Sequence, residues 1–337
     1  MTRIAINGLG RIGRATFKVV MDTPELELVA VNDITSPEDI IYLLKYDSVY
    51  GRYNKIIDFK NNELIVDGRS IKFYNERDPA RLPWKDASID IVFECTGQFT
   101  KKDDMQKHLD AGAAYVILSA PAKGKNIQTV IPGVNEPNPD YKLISTASCT
   151  TNCIAPVIEI LDRNIGIKKA IMTTVHAFTS SQEIVDSPHK KRRRGRAASI
   201  NFVPTSTGAA KATAKALPKF ENIFDGVAIR GPVPSGSIAD ITVVTNRDTS
   251  VEEVNKIFEE EANNNRYNGI MGVTSDDLVS SDIIKDSRAS VVDMGMTMVV
   301  DGNLVKVLSW YDNEWGYVNQ MVKAGVALAK KIKEPVV

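Results

Sequence analysis

Ile4-Ala5-Ile6-Asn7-Gly8-Leu9-Gly10-Arg11-Ile12-Gly13 is the stretch on which the fold turns. A short apolar run, Ile4 to Asn7, leads straight into Gly8, Gly10 and Gly13 at Gly-x-Gly-x-x-Gly spacing, and a helical pattern continues from Arg11 to about Met21. A second apolar run, Leu26 to Asn32, follows and ends on Asp33. Glycine spacing alone says little. Strand, glycine turn, helix, strand and acid in that order describe a βαβ unit that holds a dinucleotide. Glycines let the main chain approach a pyrophosphate, whose charge meets the helix start. An acid at Asp33 accepts hydrogen bonds from an adenosine ribose diol and repels a phosphate there, so NAD is expected over NADP. The alternative is a glycine-rich turn without a ligand, and the complete pattern weighs against it.

Outward from this unit the alternation continues. Ile89 to Cys95, Ala114 to Ser119 and Leu143 to Ser145 read as strands and Lys101 to Ala111 as a helix, which predicts an α/β fold with a Rossmann-type doubly wound sheet. Ligands of such sheets lie beyond the carboxyl ends of the strands, so Ser119 is a candidate cofactor contact, while Cys95 with apolar flanks reads as packing. His108 lies in a charged helical stretch and reads as a solvated surface residue.

Near residue 149 the pattern changes. A helix from about Thr150 to Arg163 precedes β-rich runs at Lys169 to His176, Asp225 to Ile229, Ser237 to Thr245, Ser290 to Val300 and Leu304 to Tyr311. These predict an α+β catalytic domain with a mixed or antiparallel sheet and helices on one face. Asp301-Gly302 is a hairpin signal. An amphipathic run, Gly316 to Lys331, is expected to pack back onto the first domain. The expected division is residues 1–148 with 315–337 for NAD binding, and 149–314 for catalysis.

Ser148-Cys149-Thr150-Thr151-Asn152-Cys153 opens that second region. A cysteine among small hydroxyl residues at a helix start sits where the helix N-terminus stabilises a thiolate, which makes Cys149 the candidate nucleophile; a buried, inert Cys149 is the alternative. The chain holds three histidines, His108, His176 and His189. His176 lies in a β-branched run and is the candidate base, against the alternative of an ordinary core histidine. Phosphate-binding groups are suggested by the hydroxyls of Ser148 and Thr150, by Pro204 to Gly208 before a small-residue helix, and by Arg194 and Arg230. Helix caps and a structural ion pair are the corresponding alternatives.

Composition narrows the class. The chain has 337 residues, 43% hydrophobic and 25% charged, which excludes disordered and fibrous proteins and allows two domains. Forty-two basic residues balance forty-two acidic ones, so no global field recruits nucleic acid or a membrane. The basic run Lys190 to Arg196 reads as a solvated or intersubunit loop with Arg194 turned to a substrate phosphate, nucleic-acid affinity being the lesser reading. Three cysteines without framework spacing suggest neither disulfides nor a metal site. No signal-peptide pattern or membrane-spanning run is evident, and a cytoplasmic protein is expected.

Taken together, these residues resemble the phosphorylating glyceraldehyde-3-phosphate dehydrogenases over nearly the whole chain. The specific markers are Ala5 to Gly8 with the glycine turn, Leu43 to Ser48, Ser148 to Cys153, Thr205 to Lys211 and Trp310 to Gly316. The resemblance implies oxidation of glyceraldehyde 3-phosphate to 1,3-bisphosphoglycerate with NAD and inorganic phosphate, reversibly, in glycolysis and gluconeogenesis. It implies Cys149 as nucleophile through a hemithioacetal and thioester, with His176 activating it. Gly8, Gly10, Arg11, Ile12, Asp33, Arg77, Ser119 and Asn313 would contact NAD. Thr179 and Arg230 would form one phosphate pocket; Ser148, Thr150, Thr207 and Gly208 would form the other, with Arg194 close by. A homotetramer is implied, in which a loop of about residues 179–200 meets a neighbouring subunit. Two departures stand out: Lys191 and Arg192 where the family commonly has an acid and an apolar residue, and Gly231 to Ser237 in place of its Val-Pro-Thr-Pro pattern. Pro188 agrees with NAD, while the added positive charge leaves some NADP use open. An erythrose-4-phosphate dehydrogenase, which hydrolyses its thioester, is the alternative enzyme, and a secondary nucleic-acid-binding role through residues 190–196 is the alternative of another class.

Overall fold

The computed structural model describes residues 1–333. They form two compact units, Met1–Val130 with Glu136–Ala147 and the chain from Met321 onward, and Ile131–Asn135 with Ser148–Gln320. The sequence-based division at 148/149 and 314/315 compares with unit edges at 147/148 and 320/321, so the start of the last helix belongs to the second unit.

The first unit runs β1 (Thr2–Asn7), α1 (Arg11–Met21), β2 (Leu26–Asn32), α2 (Pro37–Lys45), the short pair β3 (Tyr46–Asp47) and β4 (Gly51–Arg52), β5 (Ile57–Lys60), β6 (Glu63–Val66), β7 (Arg69–Tyr74), β8 (Ile91–Glu94), α3 (Lys102–Asp110), β9 (Tyr115–Leu118), β10 (Gln128–Thr129) and β11 (Leu143–Ser145). Its sheet has the order β10-β11-β9-β8-β1-β2-β7-β6-β5. Strands from β10 through β7 are parallel, and β5 and β6 add an antiparallel edge. Near-continuous apolar runs suit β8 and β9, every residue of which is buried, as in parallel sheets covered on both faces. From β1 the chain passes to β2, continues at the edge strand β5, returns inward through β6 to β7 beside β2, then restarts on the other side of β1 with β8. That reversal beside β1 is a topological switch point, where open α/β sheets take their ligands. Gly8 follows β1 there.

One expectation fails in this unit. His108 is not solvated but fully buried. In α3 the acids Asp103 and Asp104 occupy the first turn, while Met105 and His108, three apart, share the buried face. The charge density of the stretch hid that stripe.

The second unit runs α4 (Cys149–Asn164), β12 (Ile167–Ala177), β13 (Val203–Ser206), α5 (Ala209–Ala216), β14 (Phe224–Gly231), β15 (Ser237–Thr245), α6 (Val251–Ala262), β16 (Met271–Thr274), β17 (Ser290–Val300), β18 (Leu304–Tyr311) and the start of α7 (Trp315–Lys333). Its mixed sheet has the order β13-β14-β12-β15-β18-β17-β16. Val203 to Ser206 is a strand, so only Thr207 and Gly208 lead into the small-residue helix. Asp301 and Gly302 both take positive φ, 47° and 70°, in the three-residue loop 301–303 that joins the paired Val300 and Leu304 of β17 and β18.

Alternation decides the two faces of this sheet. Met172, Thr174 and His176 of β12 point to the buried side, where Ile154, Val157, Ile158 and Leu161 of α4 pack against Ile241, Val243, Val305 and Val307. The same strand sends Ile171 and Val175 the other way. Register places Val227, Met298, Val300 and Leu304 on that side as well, all exposed. The sheet therefore keeps one apolar face open.

Candidate active site

Cys149 is the first residue of α4. The preceding Ala147, buried, takes a left-handed conformation with φ 56°, and Ser148 then caps the helix, its Oγ accepting from the Thr151 amide at 3.1 Å. The opposite wall is β12, whose inward alternation delivers His176. Its Nε2 lies 3.3 Å from Cys149 Sγ. At the other ring nitrogen, Nδ1 is 2.7 Å from the Ala177 carbonyl, and Arg230 Nη1, on the residue paired with His176 in β14, is 2.9 Å from the same oxygen and 2.8 Å from Nδ1. Arg230 has no acceptor capacity, whereas a carbonyl takes two donors. We therefore assign the proton to Nδ1, donated to Ala177, which leaves the Nε2 lone pair facing the thiol. Tyr311, fully buried, ties this wall together: its hydroxyl is 2.9 Å from Thr150 Oγ1 and 2.8 Å from Thr174 Oγ1, and its ring stands edge-on to His176 at 5.9 Å.

Electrostatics set the resting state. Burial, followed by the Arg230 and Arg194 charges, pushes the His176 imidazole down to about 3 against the hydrogen bond to Ala177. Burial pushes the Cys149 thiol up, opposed by the Arg230 charge, the Thr150 hydroxyl and the amides of Thr150 and Cys149. Burial thus opposes charging either group alone, while the Arg230 charge and the helix-start amides favour the thiolate. Cys95 and Cys153 are sealed, and burial pushes both up to about 12, so neither competes as a nucleophile.

Cations gather on the same side of this unit. Arg194 donates from Nε to Thr205 Oγ1 at 3.0 Å and from Nη1 to Ser181 Oγ at 3.2 Å; Ser181 Oγ is 2.9 Å from Thr179 Oγ1. Lys191 Nζ donates to Ser206 Oγ at 2.8 Å. Arg230 Nε is buried without a partner, and among the described residues neither Arg194 nor Arg230 meets a carboxylate. Burial and the Arg230 charge both lower Arg194. Like charges left unpaired in this way suit an anion. Other expected phosphate residues are already engaged. Ser148 caps α4, Thr150 meets Tyr311, and Thr207 Oγ1 accepts from the Ala209 amide at 3.2 Å. Gly208 is exposed at the start of α5, which has no side-chain cap.

The first unit holds the cradle. Gly8 has φ 90°, and a Cβ there would lie 2.8 Å from Thr96; a Cβ on Gly13 would lie 1.8 Å from the Gly8 carbonyl. A Cβ on Gly10 would meet nothing within 4 Å, which leaves room above the turn. Asp33 Oδ2 accepts from the Leu9 amide at 2.6 Å and Oδ1 from the Thr35 amide at 2.8 Å, and each oxygen keeps a lone pair for a diol. Arg11 pairs with Asp47 at 2.7 Å and lies over the Tyr50 ring, so its side chain braces the turn and its main chain starts the helix. Ile12 and Ser119 are half-buried and Arg77 is exposed. These residues fit a dinucleotide. Asn313 lies in the second unit, buried, with Oδ1 accepting from Ser237 Oγ at 2.9 Å. Sequence reasoning missed Tyr311 and Ser181 as site residues. Tyr311 stood within a marker motif, and Ser181 two residues after Thr179, but neither had a partner until the chain folded.

Residues 2–102 match the family described as "Glyceraldehyde 3-phosphate dehydrogenase, NAD binding domain", and residues 148–313 the corresponding C-terminal domain. The chain is 46% identical over 334 residues to the glyceraldehyde-3-phosphate dehydrogenase of Streptomyces coelicolor, covering 98% of this chain and 99% of the relative. It is 48% identical over 326 residues to that of Thermotoga maritima, with 96% and 97% covered. It is 46% identical over 332 residues to glyceraldehyde-3-phosphate dehydrogenase 1 of Bacillus subtilis, with 98% of each covered.

Proposed function

The chain belongs to the glyceraldehyde-3-phosphate dehydrogenase family, and we propose that it oxidises glyceraldehyde 3-phosphate with NAD and inorganic phosphate to 1,3-bisphosphoglycerate, reversibly. The observation that carries this reading is the 3.3 Å approach of Cys149 Sγ to His176 Nε2, with the opposite ring nitrogen donating to Ala177. His176 takes the thiol proton as sulfur attacks the aldehyde carbon and returns it to the carbonyl oxygen, giving a hemithioacetal. The same nitrogen then accepts the hemithioacetal hydroxyl proton while the carbon-bound hydrogen leaves as hydride. Gly8, Gly10, Arg11, Ile12, Asp33, Arg77 and Ser119 would hold NAD, which would supply the hydride acceptor. A phosphate oxygen attacks the resulting thioester, the sulfur–carbon bond breaks, and the Cys149 thiolate leaves. The Cys149 amide and His176 hold the oxyanion at each tetrahedral stage.

Arg230 and Thr179 bind the substrate phosphate in this reading, and Thr207, Gly208, Ser148 and Thr150 serve the attacking phosphate with Arg194 beside them. Support comes from the unpaired guanidinium groups and, for Thr179 and Arg194, from the shared Ser181 contact. The ties of Ser148 and Thr150 mean that each must share its hydroxyl or give up a partner when phosphate arrives. A homotetramer is supported by the exposed Ile171, Val227, Met298 and Val300 on one face of the second sheet, side chains that suit a subunit contact. A cytoplasmic location is supported by three free cysteines, Cys95 and Cys153 buried and Cys149 half-buried. No helix among the described residues is long and apolar enough to cross a membrane.

The decisive assay follows nicotinamide absorbance with glyceraldehyde 3-phosphate, with NAD or NADP, and with or without inorganic phosphate. Phosphate-dependent turnover that prefers NAD is expected. Turnover that ignores phosphate and is faster with erythrose 4-phosphate would replace this reading with the hydrolytic alternative.

A further inference from the structure

We propose that the buried pair Glu94–His108 positions the loops that hold NAD, so that cofactor affinity, and not the chemical step, depends on it. The inference rests on reading the first unit as the NAD site. Both side chains are completely sealed from water. A sealed carboxylate is costly unless donors surround it, and here Glu94 is surrounded. Its Oε2 accepts from Asn7 Nδ2 at 2.6 Å and from His108 Nε2 at 3.0 Å; Oε1 accepts from the Thr96 amide at 2.8 Å and from the Thr96 hydroxyl. The role of His108 is fixed by Trp84, whose Nε1 donates to Nδ1 at 2.9 Å. An indole N–H only donates, so Nδ1 must accept, and Nε2 carries the proton that goes to Glu94.

The network then spreads along the carboxyl edge of the sheet. Asn7 Oδ1 accepts from Asn32 Nδ2 at 2.7 Å, and Asn32 closes a double hydrogen bond with the main chain of Glu76, both at 2.9 Å. Each of these residues abuts the cradle. Asn7 precedes Gly8, Asn32 precedes Asp33, Glu76 precedes Arg77, and Thr96 lies against Gly8 where a Cβ would already collide. Loops after β1, β2, β7 and β8 are thus tied, directly or through one or two side chains, to a single carboxylate at the switch point. A network serving stability alone has no reason to sit at the ligand edge. Releasing one donor frees several loops from their common anchor, and small displacements of positioning groups are expensive for binding.

The test measures NAD dissociation by titration calorimetry on the full chain, with KM for NAD and kcat determined separately, for wild type, Glu94→Gln, His108→Leu and His108→Gln. In Glu94→Gln and His108→Leu, the NAD dissociation constant and KM are expected to rise at least tenfold. kcat at saturating NAD and KM for glyceraldehyde 3-phosphate should stay within twofold of wild type. His108→Gln keeps a donor where Nε2 stood and should recover most of the lost affinity. Should those variants fail to fold, Trp84→Phe removes one N–H only and should weaken NAD two- to fivefold. Folded variants that bind NAD like wild type, or that lose kcat with affinity intact, overturn the proposal. A wild type that does not bind NAD is a different result and overturns the cofactor reading beneath it.

Discussion

His176 and His108 are both imidazoles shut away from water, 3% and 0% exposed, each against an aromatic ring, yet their nitrogens are used in opposite ways. Around His108 both nitrogens meet fixed partners, Trp84 on one side and Glu94 on the other. Around His176 one nitrogen leans on a carbonyl shared with Arg230, and the other faces a thiol. A fully satisfied imidazole is framework. One that keeps a lone pair toward a reactive atom, with an unpaired arginine nitrogen nearby, is poised for chemistry.

The comparison breaks most visibly at the thiol. Cys149→Ser should lower turnover by about 10⁶-fold, the scale of deleting a nucleophile, with NAD binding unchanged by calorimetry; measurable steady-state turnover in that variant would move the chemistry elsewhere. Next comes the base. His176→Asn should cost ~10²- to 10⁴-fold in kcat, the range for general acid–base groups, and should slow alkylation of Cys149 at neutral pH; a smaller loss would make His176 resemble His108. Arg230→Gln should lower kcat/KM for glyceraldehyde 3-phosphate by about 10- to 100-fold, as expected for losing a charged hydrogen bond, and should leave unphosphorylated glyceraldehyde nearly unaffected. Equal losses on both aldehydes would assign Arg230 to His176 alone.

The smallest effect is on stability. Because His176 is held down to about 3 against an ordinary 6.5, the unfolded chain binds more protons between those values. Stability from this source is therefore whole above about pH 6.5 and falls as pH drops toward 3. The unfolding midpoint of His176→Asn should decline less steeply than that of wild type over this window, and parallel declines would show that His176 is not held neutral.

What was legible in the sequence follows the range of the forces involved. α1 and β2 were readable to the residue because glycine spacing and short apolar periods are local signals, as were the hairpin at Asp301 and most strands of the second sheet. α2 and the antiparallel edge of β5 and β6 escaped; β5 and β6 are four residues each, and their strand assignment rests on pairing with each other and of β6 with β7. The nucleophile and base were named from residue types, but their meeting spans a separation of 27 positions that only the folded chain closes. Tyr311 joins Thr150 and Thr174 across 161 and 137 positions, and no window of sequence contains that contact. His108 shows the converse failure: lysines and aspartates around it set the local character, while its own face belonged to the core.

The open face of the second sheet has a consequence for handling the protein. In the proposed homotetramer, covering Ile171, Val227, Met298 and Val300, each at 50% exposure or more in the single chain, would make stability depend on concentration. Association that covers those side chains stabilises the native state by mass action, so dilution lowers the melting temperature and concentration raises it. Enzyme stored dilute should lose activity over time while concentrated stock keeps it, and a single charged residue at Val227 should make the two behave alike.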